Sequence, residues 1–170
     1  IDFGGESALS LIDEYDNLLV VRTFSKSRSM AGLRIGYAIG NEELIKALND
    51  VKYSYNSYTM NMAAIELGAA VLEDKEYFDT TVAKIVNTRE AAKIRLKELG
   101  FTFPDSKTNF IFAKPSKITA KQMFEELKKR NIYVRYFTGE RVKEHLRITI
   151  GTDEEMERFF KAVEEIQGEI

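Results

Sequence analysis

The chain has 170 residues, with 25 Lys and Arg against 27 Asp and Glu, one His, and neither Cys nor Trp. The near balance of charge argues against a large nucleic-acid surface, and the lack of Cys excludes disulfides, thiolate metal sites and cysteine nucleophiles. The single His145 excludes any site built from several imidazoles. No apolar run approaches the roughly 18–20 residues that span a bilayer, and no secretory signal is visible. We therefore expect a globular, cytoplasmic protein with no metal, membrane or nucleic-acid partner.

The first part of the chain alternates between predicted strands and helices. Residues 18–21 and 33–39 are short apolar runs bounded by polar residues or glycine, which predicts two buried strands, expected to be parallel. Asn41 is placed to cap a following helix. The Ala-rich residues 60–72 are almost all apolar, which predicts a buried helix. This pattern is typical of an α/β unit.

The second part reads as a small α+β unit. Residues 75–99 have apolar side chains at helical spacing, and Gly100 is well placed to end that helix. Thr119 predicts the start of another helix, and Thr152 with Glu155 forms a capping-box pattern that opens the last one. Alternating apolar residues predict an antiparallel sheet from residues 109–113, 132–137 and 146–150.

The strongest chemical signal is the polar segment that comes after the first strand. Lys26 lies between Ser25 and Ser27, and Arg34 is found eight positions later. Ligands in open α/β sheets bind beyond the carboxyl ends of strands, and hydroxyls with a guanidinium can bind a phosphate. The lysine can serve as a point charge for the phosphate or as a covalent amine nucleophile. Spacing alone leaves both roles open, and it also leaves open that the segment is only a solvated surface loop.

Three segments resemble one known family. The run T-F-S-K-S-R-S-M-A-G-L-R-I-G-Y at residues 23–37 resembles the pyridoxal-phosphate lysine motif of fold-type I aminotransferases, most closely that of histidinol-phosphate aminotransferases. S-K-T-N-F at residues 106–110 resembles the segment that enters the small-domain sheet, and L-R-I-T-I-G-T at residues 146–152 the one that carries a substrate-binding arginine. The order and spacing of the three fit along nearly the whole chain.

The resemblance implies a fold and a domain division. Residues 1–73 correspond to the C-terminal portion of the fold-type I pyridoxal-phosphate-dependent transferase large domain, and residues 74–170 to the α+β small domain with its antiparallel sheet. Ile1-Asp2-Phe3 resembles the residues directly C-terminal to the family segment whose aspartate pairs with the pyridine nitrogen. We therefore expect the chain to be the C-terminal half of the enzyme, inactive in isolation and prone to self-association.

The resemblance also implies roles in cofactor binding. Lys26 corresponds to the lysine that joins pyridoxal 5′-phosphate covalently and moves a proton at the substrate Cα. Thr23, Ser25 and Arg34 correspond to residues that bind the cofactor phosphate.

On the substrate side, Arg147 corresponds to the arginine that pairs with a carboxylate or an equivalent acidic group. Asn109 is expected near the active site, and Arg135 is expected to reach a phosphate-bearing side chain of the substrate. Asn56 lies in a segment that the family uses near the cofactor and the dimer edge.

The implied activity is transamination of L-histidinol phosphate with 2-oxoglutarate, in histidine biosynthesis, by a homodimer. Two alternatives use the same scaffold, a threonine-phosphate decarboxylase and an aromatic or broad-specificity aminotransferase. A third, of a different class, is a non-catalytic binding module.

Overall fold

The computed structural model describes residues 1–169, which form two compact units. Unit 1 comprises Ile1 and Gly5–Thr81, and unit 2 comprises Asp2–Gly4 and the chain from Val82 onward. The boundary between the units lies C-terminal to the domain boundary predicted after residue 73, which stays a prediction.

Unit 1 contains two strands and the helices C-terminal to them. Two short 3-10 helices, Ala8–Leu11 and Ala31–Leu33, precede the strands β1 and β2 respectively. The remaining elements are β1 (Leu19–Thr23), β2 (Gly36–Gly40), α1 (Glu42–Tyr55), α2 (Met62–Glu73) and the first turns of α3 (Lys75–Glu98). Asn41 caps α1 through its side chain, as predicted.

The two strands of unit 1 pair antiparallel, so the predicted parallel arrangement is wrong. Leu19 lies opposite Gly40, and Thr23 lies opposite Gly36. Parallel neighbours need a crossover, usually a helix, whereas residues 24–35 contain only one short 3-10 helix and let the chain turn back beside β1. A Cβ at Gly36 would lie 2.9 Å from the Arg22 carbonyl oxygen, so glycine permits the close approach of the strands there.

Within this chain, much of the predicted burial of unit 1 does not occur, as expected for a chain that is prone to self-association. Val21 in β1 is 68% exposed and Met62 in α2 is 73% exposed. In α2 the residues Ala64 and Gly68, one turn apart, are buried, because this small-residue face is the one that packs against the chain near Ile35. Val71 is half-buried against the same cluster, whereas the other large apolar side chains of α2 are exposed, namely Met62, Ile65, Leu67 and Leu72.

Unit 2 is a three-stranded antiparallel sheet with helices, as predicted. Its strands are β3 (Phe110–Ala113), β4 (Arg135–Tyr136) and β5 (Leu146–Thr149), in the spatial order β3-β5-β4. The rest of α3, α4 (Ala120–Lys129) and α5 (Asp153–Gly168) complete it, and both predicted helix starts carry capping boxes. Of the predicted strand at residues 132–137, only Arg135–Tyr136 forms a ladder.

The core of unit 2 contains one face of this sheet. Ile111 on β3 and Leu146 and Ile148 on β5 are almost completely buried, while alternate residues point away from the core. Helix residues complete the core, among them Leu96, Met123, Leu127 and Val163.

A buried arginine in α3 lies at one of the positions that share the helical spacing of the apolar residues. Arg89 is 4% exposed, and its Nη1 donates to the carbonyls of Phe3, at 2.9 Å, and Thr108, at 3.2 Å. Its Nη2 lies 2.7 Å from the Glu90 carboxylate. Arg89 therefore attaches the segment Asp2–Gly4 to unit 2.

A second buried cation lies one turn further along α3. The Lys93 ammonium contacts Glu90 at 2.9 Å and Asp105 at 2.7 Å. The hydrogen bond from Lys93 is the largest cause that lowers the pKa of each carboxyl below its ordinary value.

We expect Arg89→Met to lower the free energy of unfolding by about 3 kcal/mol, because two carbonyls lose their donor. Urea unfolding followed by circular dichroism measures this change. Arg158→Met, which removes an exposed arginine of α5, is the control and should change stability by less than about 0.5 kcal/mol. Equal stability of the two variants would contradict the structural role of Arg89.

The Lys93 cluster should also make stability depend on pH. Because the folded-state pKa of Glu90 and of Asp105 is lowered, their contribution is present above about pH 5 and is lost as the pH falls through the folded pKa values. Lys93→Met should raise both carboxyl pKa values and flatten the dependence of unfolding free energy on pH below about pH 5. Carboxyl NMR titrations check this, and unchanged pKa values in the variant would refute it.

Candidate functional site

Residues 24–35, called here the lysine loop, connect β1 to β2 and are held by backbone hydrogen bonds. At the base of the loop, the Phe24 N–H donates to the Ile35 carbonyl at 3.1 Å, and the Met30 N–H donates to the Phe24 carbonyl at 3.0 Å. The Ser29 N–H donates to the Lys26 carbonyl at 2.9 Å, which closes a tight turn. The backbone of Lys26 is thus held at the start of a defined turn.

Two residues of the lysine loop adopt the left-handed backbone conformation without being glycine. Ser29 has φ 56° and ends the Lys26 turn, and Arg34 has φ 57° and ends the 3-10 helix. This conformation costs about 1 kcal/mol for such residues, so the surrounding contacts must stabilise it.

A small apolar cluster supplies those contacts. Phe24, Ile35 and Ala64 are buried together, so the loop packs on α2. Ser27 is also buried, whereas the neighbouring Lys26 is exposed. Within residues 1–169, no hydrogen bond or ion pair holds the Lys26 ammonium, so its Nζ is accessible from solvent.

Hydroxyl groups lie directly before Lys26. The Thr23 Oγ1 lies 2.9 Å from the Ser25 Oγ and accepts a hydrogen bond from the Ser25 N–H at 3.1 Å. The same Oγ1 lies 3.4 Å from the Ile35 carbonyl oxygen, next in sequence to Arg34. Both hydroxyls therefore lie at the base of the lysine loop.

The Arg34 guanidinium is exposed and partly engaged. Its Nη1 donates to the Ala31 carbonyl at 2.7 Å, which leaves other N–H groups of the guanidinium for an anion. Unit 1 thus carries an amine, two hydroxyls and an arginine within residues 23–34, at Lys26, Thr23, Ser25 and Arg34.

In unit 2, two arginines lie opposite each other on the sheet. Arg135 of β4 is the register partner of Arg147 of β5, and Phe112 of β3 faces Arg147 from the other side. Directly opposite residues of an antiparallel pair share one face of the sheet, with Cβ atoms about 4.5–5.5 Å apart. Because adjacent like charges repel, this pair favours the binding of an anion.

Aromatic rings surround these guanidinium groups. The Arg147 Cζ lies 4.4 Å from the centroid of Phe110 and 5.9 Å from that of Phe137. The Arg135 Cζ lies 5.5 Å from the Phe137 centroid. Such contacts orient a guanidinium without neutralising its charge.

A cavity of about 420 Å³ lies beside Arg147. Its wall contains the polar residues 105–108 and the rings of Phe110, Phe112 and Phe137. The Arg147 Nε is buried and has no hydrogen-bond partner in the described chain. The cavity wall is therefore part polar and part aromatic, and the arginine that lines it retains one buried donor without an acceptor.

The other residues singled out from the sequence lie elsewhere. Asn109 directly precedes β3, and its carbonyl accepts a hydrogen bond from Ile150 at 3.0 Å; it does not line the cavity. Asn56 is the C-cap of α1. His145 precedes β5, and its ring stacks on that of Phe112 at 4.5 Å between ring centroids.

Sequence reasoning missed the two rings that pack on Arg147. Phe110 could have been identified, because it ends the S-K-T-N-F segment that resembles the family. For Phe137 the only indication in the sequence was its alternation with Arg135. In residues 1–169, no group of three or more His, Asp or Glu side chains is arranged to hold a metal ion. The helices described there also include none that is long and apolar enough to cross a membrane.

Comparison with known proteins gives consistent matches. The family model "Aminotransferase class I and II" matches residues 1–163. The histidinol-phosphate aminotransferase of Brachyspira hyodysenteriae is 53% identical over 167 residues, which cover 98% of this chain and 47% of that protein. The histidinol-phosphate aminotransferase of Clostridium acetobutylicum is 52% identical over 165 residues, which cover 97% of this chain and 47% of that protein. The chain thus spans about half the length of the curated relatives it matches.

Comparison with solved structures indicates the same family. The histidinol-phosphate aminotransferase of Sinorhizobium meliloti, in complex with pyridoxal-5′-phosphate, matches with a TM-score of 0.83 and 27% identity over 94% of this chain and 43% of that one. The fold-type I architecture and the family predicted from the lysine motif are therefore confirmed, and the chain belongs to the aminotransferase class I and II family.

Proposed function

We propose that this chain supplies the lysine and part of the cofactor- and substrate-binding groups of a pyridoxal-phosphate-dependent transaminase that acts on L-histidinol phosphate and 2-oxoglutarate. The observation that carries the proposal is the lysine loop, where the unpaired Lys26 amine comes after the hydroxyls of Thr23 and Ser25 within a loop that also contains Arg34. The substrate is inferred from histidinol-phosphate aminotransferases that are 53% and 52% identical to the chain.

The chemistry of these groups fits the cofactor. Pyridoxal 5′-phosphate carries an aldehyde, which suits the Lys26 amine, and a phosphate, which suits two hydroxyls and the free N–H groups of Arg34. When bound, the cofactor accepts electrons and thereby stabilises negative charge at the substrate Cα.

Lys26 has two tasks in this proposal. Its amine holds the cofactor covalently before the substrate arrives, and after release it moves a proton to and from the substrate Cα as a general base and acid. Arg34, Thr23 and Ser25 keep the phosphate in place while the Lys26 bond is open, so that the amine and the Cα stay in reach of each other.

In unit 2, Arg147 and Arg135 bind the anionic groups of the substrates. L-Histidinol phosphate carries a phosphate and glutamate carries two carboxylates, so the same two guanidinium groups can serve both half-reactions. The rings of Phe110 and Phe137 orient these groups.

The proposal includes a homodimer, a cytoplasmic location and a place in histidine biosynthesis. Large apolar side chains of unit 1, among them Val51, Tyr55, Tyr58 and Met62, are exposed, which favours association with another polypeptide surface. Asn109 does not line the cavity itself, but its neighbours Thr108 and Phe110 do, so it keeps its proposed place near the substrate.

Labelling tests the role of Lys26. The chain is incubated with pyridoxal 5′-phosphate and reduced with borohydride, and the labelled peptides are identified by mass spectrometry. We expect Lys26 to be the main labelled residue, because its amine is unpaired and phosphate-binding groups lie nearby, and we expect Lys26→Ala to lose that label.

Lys46→Ala provides the matched control, because Lys46 is an exposed lysine paired with Asp50 in α1. The control should label like the wild type. Uniform labelling of all lysines would contradict the proposal and favour the non-catalytic binding module.

Binding experiments test the arginine pair. NMR titration with L-histidinol phosphate, O-phospho-L-threonine and glutamate should show binding at the cavity beside Arg147, strongest for L-histidinol phosphate. Arg147→Lys should weaken it at least about tenfold, because a lysine cannot form the bidentate contact with the anion.

Arg158→Lys is the control, since Arg158 is exposed on α5. Tighter binding of O-phospho-L-threonine would favour the decarboxylase alternative, and wild-type affinity in Arg147→Lys would remove Arg147 from the substrate site.

A further inference from the structure

Arg28 lies two residues after Lys26 and makes two contacts outside the lysine loop. Its Nη1 donates to the Val71 carbonyl at 2.7 Å, and its Cζ lies 3.8 Å from the centroid of the Phe78 ring. The residue is half-buried. One side chain therefore joins the loop to the end of α2 and to the first turn of α3.

The Val71 contact has a clear physical basis. The last carbonyls of a helix have no partner within the helix, and α2 ends at Glu73. The Ala70 carbonyl is used by the Asp74 N–H, and the Val71 carbonyl is used by Arg28. A positive charge at this position also interacts favourably with the negative end of the helix dipole.

The Phe78 contact adds a second, independent restraint. A guanidinium at 3.8 Å over a ring is well within the range of a cation–π interaction, which strengthens when the group is partly buried. The planar group can stack on the ring and donate a hydrogen bond in its own plane at the same time, which a lysine cannot do.

These contacts act on the turn that carries Lys26. Backbone hydrogen bonds from Ser29 and Met30 close the turn from inside the loop, and Ser29 is held in the costly left-handed conformation. Arg28 lies directly between Lys26 and Ser29 in sequence, so its anchoring opposes the opening of that turn.

We propose that Arg28 is a positioning residue, which fixes the Lys26 turn against α2 and α3 and so keeps the amine ready for the cofactor aldehyde. This inference rests on the proposed function of Lys26. When only a fraction of molecules has the competent loop conformation, the apparent dissociation constant of the cofactor rises in inverse proportion to that fraction. Loss of Arg28 therefore weakens cofactor capture without removing any group that touches the cofactor.

The test compares the wild-type chain with Arg28→Ala, Arg28→Lys and Phe78→Leu. The matched control is Lys75→Ala, which removes an exposed positive charge from the same turn of α3, where Lys75 pairs with Asp79. Two quantities are measured. The first is hydrogen exchange of the Ser29 and Met30 amides without cofactor. The second is the concentration of pyridoxal 5′-phosphate that half-saturates borohydride-trapped labelling of Lys26, relative to labelling of Lys46 in the same molecules.

For Arg28→Ala we expect about tenfold faster exchange at both amides. We also expect the half-saturating concentration of pyridoxal 5′-phosphate for Lys26 to rise about tenfold, while labelling of Lys46 stays unchanged. Arg28→Lys keeps the charge and a donor, so both of its values should lie between those of Arg28→Ala and the wild type. Both values of Phe78→Leu should lie between those of Arg28→Lys and the wild type. Lys75→Ala should match the wild type. Thermal unfolding of each variant shows whether the fold is retained.

The outcomes separate the inference from the proposed function. A wild-type chain that does not label at Lys26 overturns the proposed function and the positioning role together. Selective labelling in the wild type with equal labelling in Arg28→Ala overturns the positioning role alone, and faster exchange without a change in labelling reduces Arg28 to a structural contact. Selective loss at Lys26 with partial rescue by Arg28→Lys establishes the role.

Discussion

The antiparallel pairing of β1 with β2 is the constraint on which the arrangement of unit 1 depends. Because Thr23 lies opposite Gly36, the twelve-residue connection at positions 24–35 must turn back within a short distance, and its ends are joined by the hydrogen bond between Phe24 and Ile35. The closed loop then buries Ser27 and leaves Lys26 exposed. The exposure of the Lys26 amine in a loop that begins next to the Thr23 hydroxyl is therefore a consequence of strand register.

Unit 2 uses the two faces of one sheet for different purposes. Along β5, Leu146 and Ile148 enter the core while Arg147 points to the opposite face, where Arg135 lies beside it. Burial of one face stabilises the sheet and so holds the arginines in fixed register. That face also carries the cavity beside Arg147 and the aromatic rings that contact both guanidinium groups.

Errors in the sequence-based predictions arose where burial depends on what an element packs against. The apolar run at residues 60–72 correctly predicts a helix, but its burial is restricted to Ala64 and Gly68, since only that face meets the lysine loop. The strands of unit 1 were expected to be parallel because apolar runs are typical of parallel sheets. Apolar composition does not encode direction, which depends on the length and content of the connection.

The sequence by itself determined the features that arise from neighbouring residues. These are the helix caps at Asn41, Thr119 and Thr152, the alternation of β5, and the motif around Lys26 that identified the family. Only the tertiary structure decided the contacts between distant residues: Arg28 with Val71 and Phe78, Arg89 with Phe3 and Thr108, and Arg135 with Arg147. The physical reason is range, since capping and alternation depend on residues within one turn or strand, whereas a long side chain finds its partner only after the elements have packed.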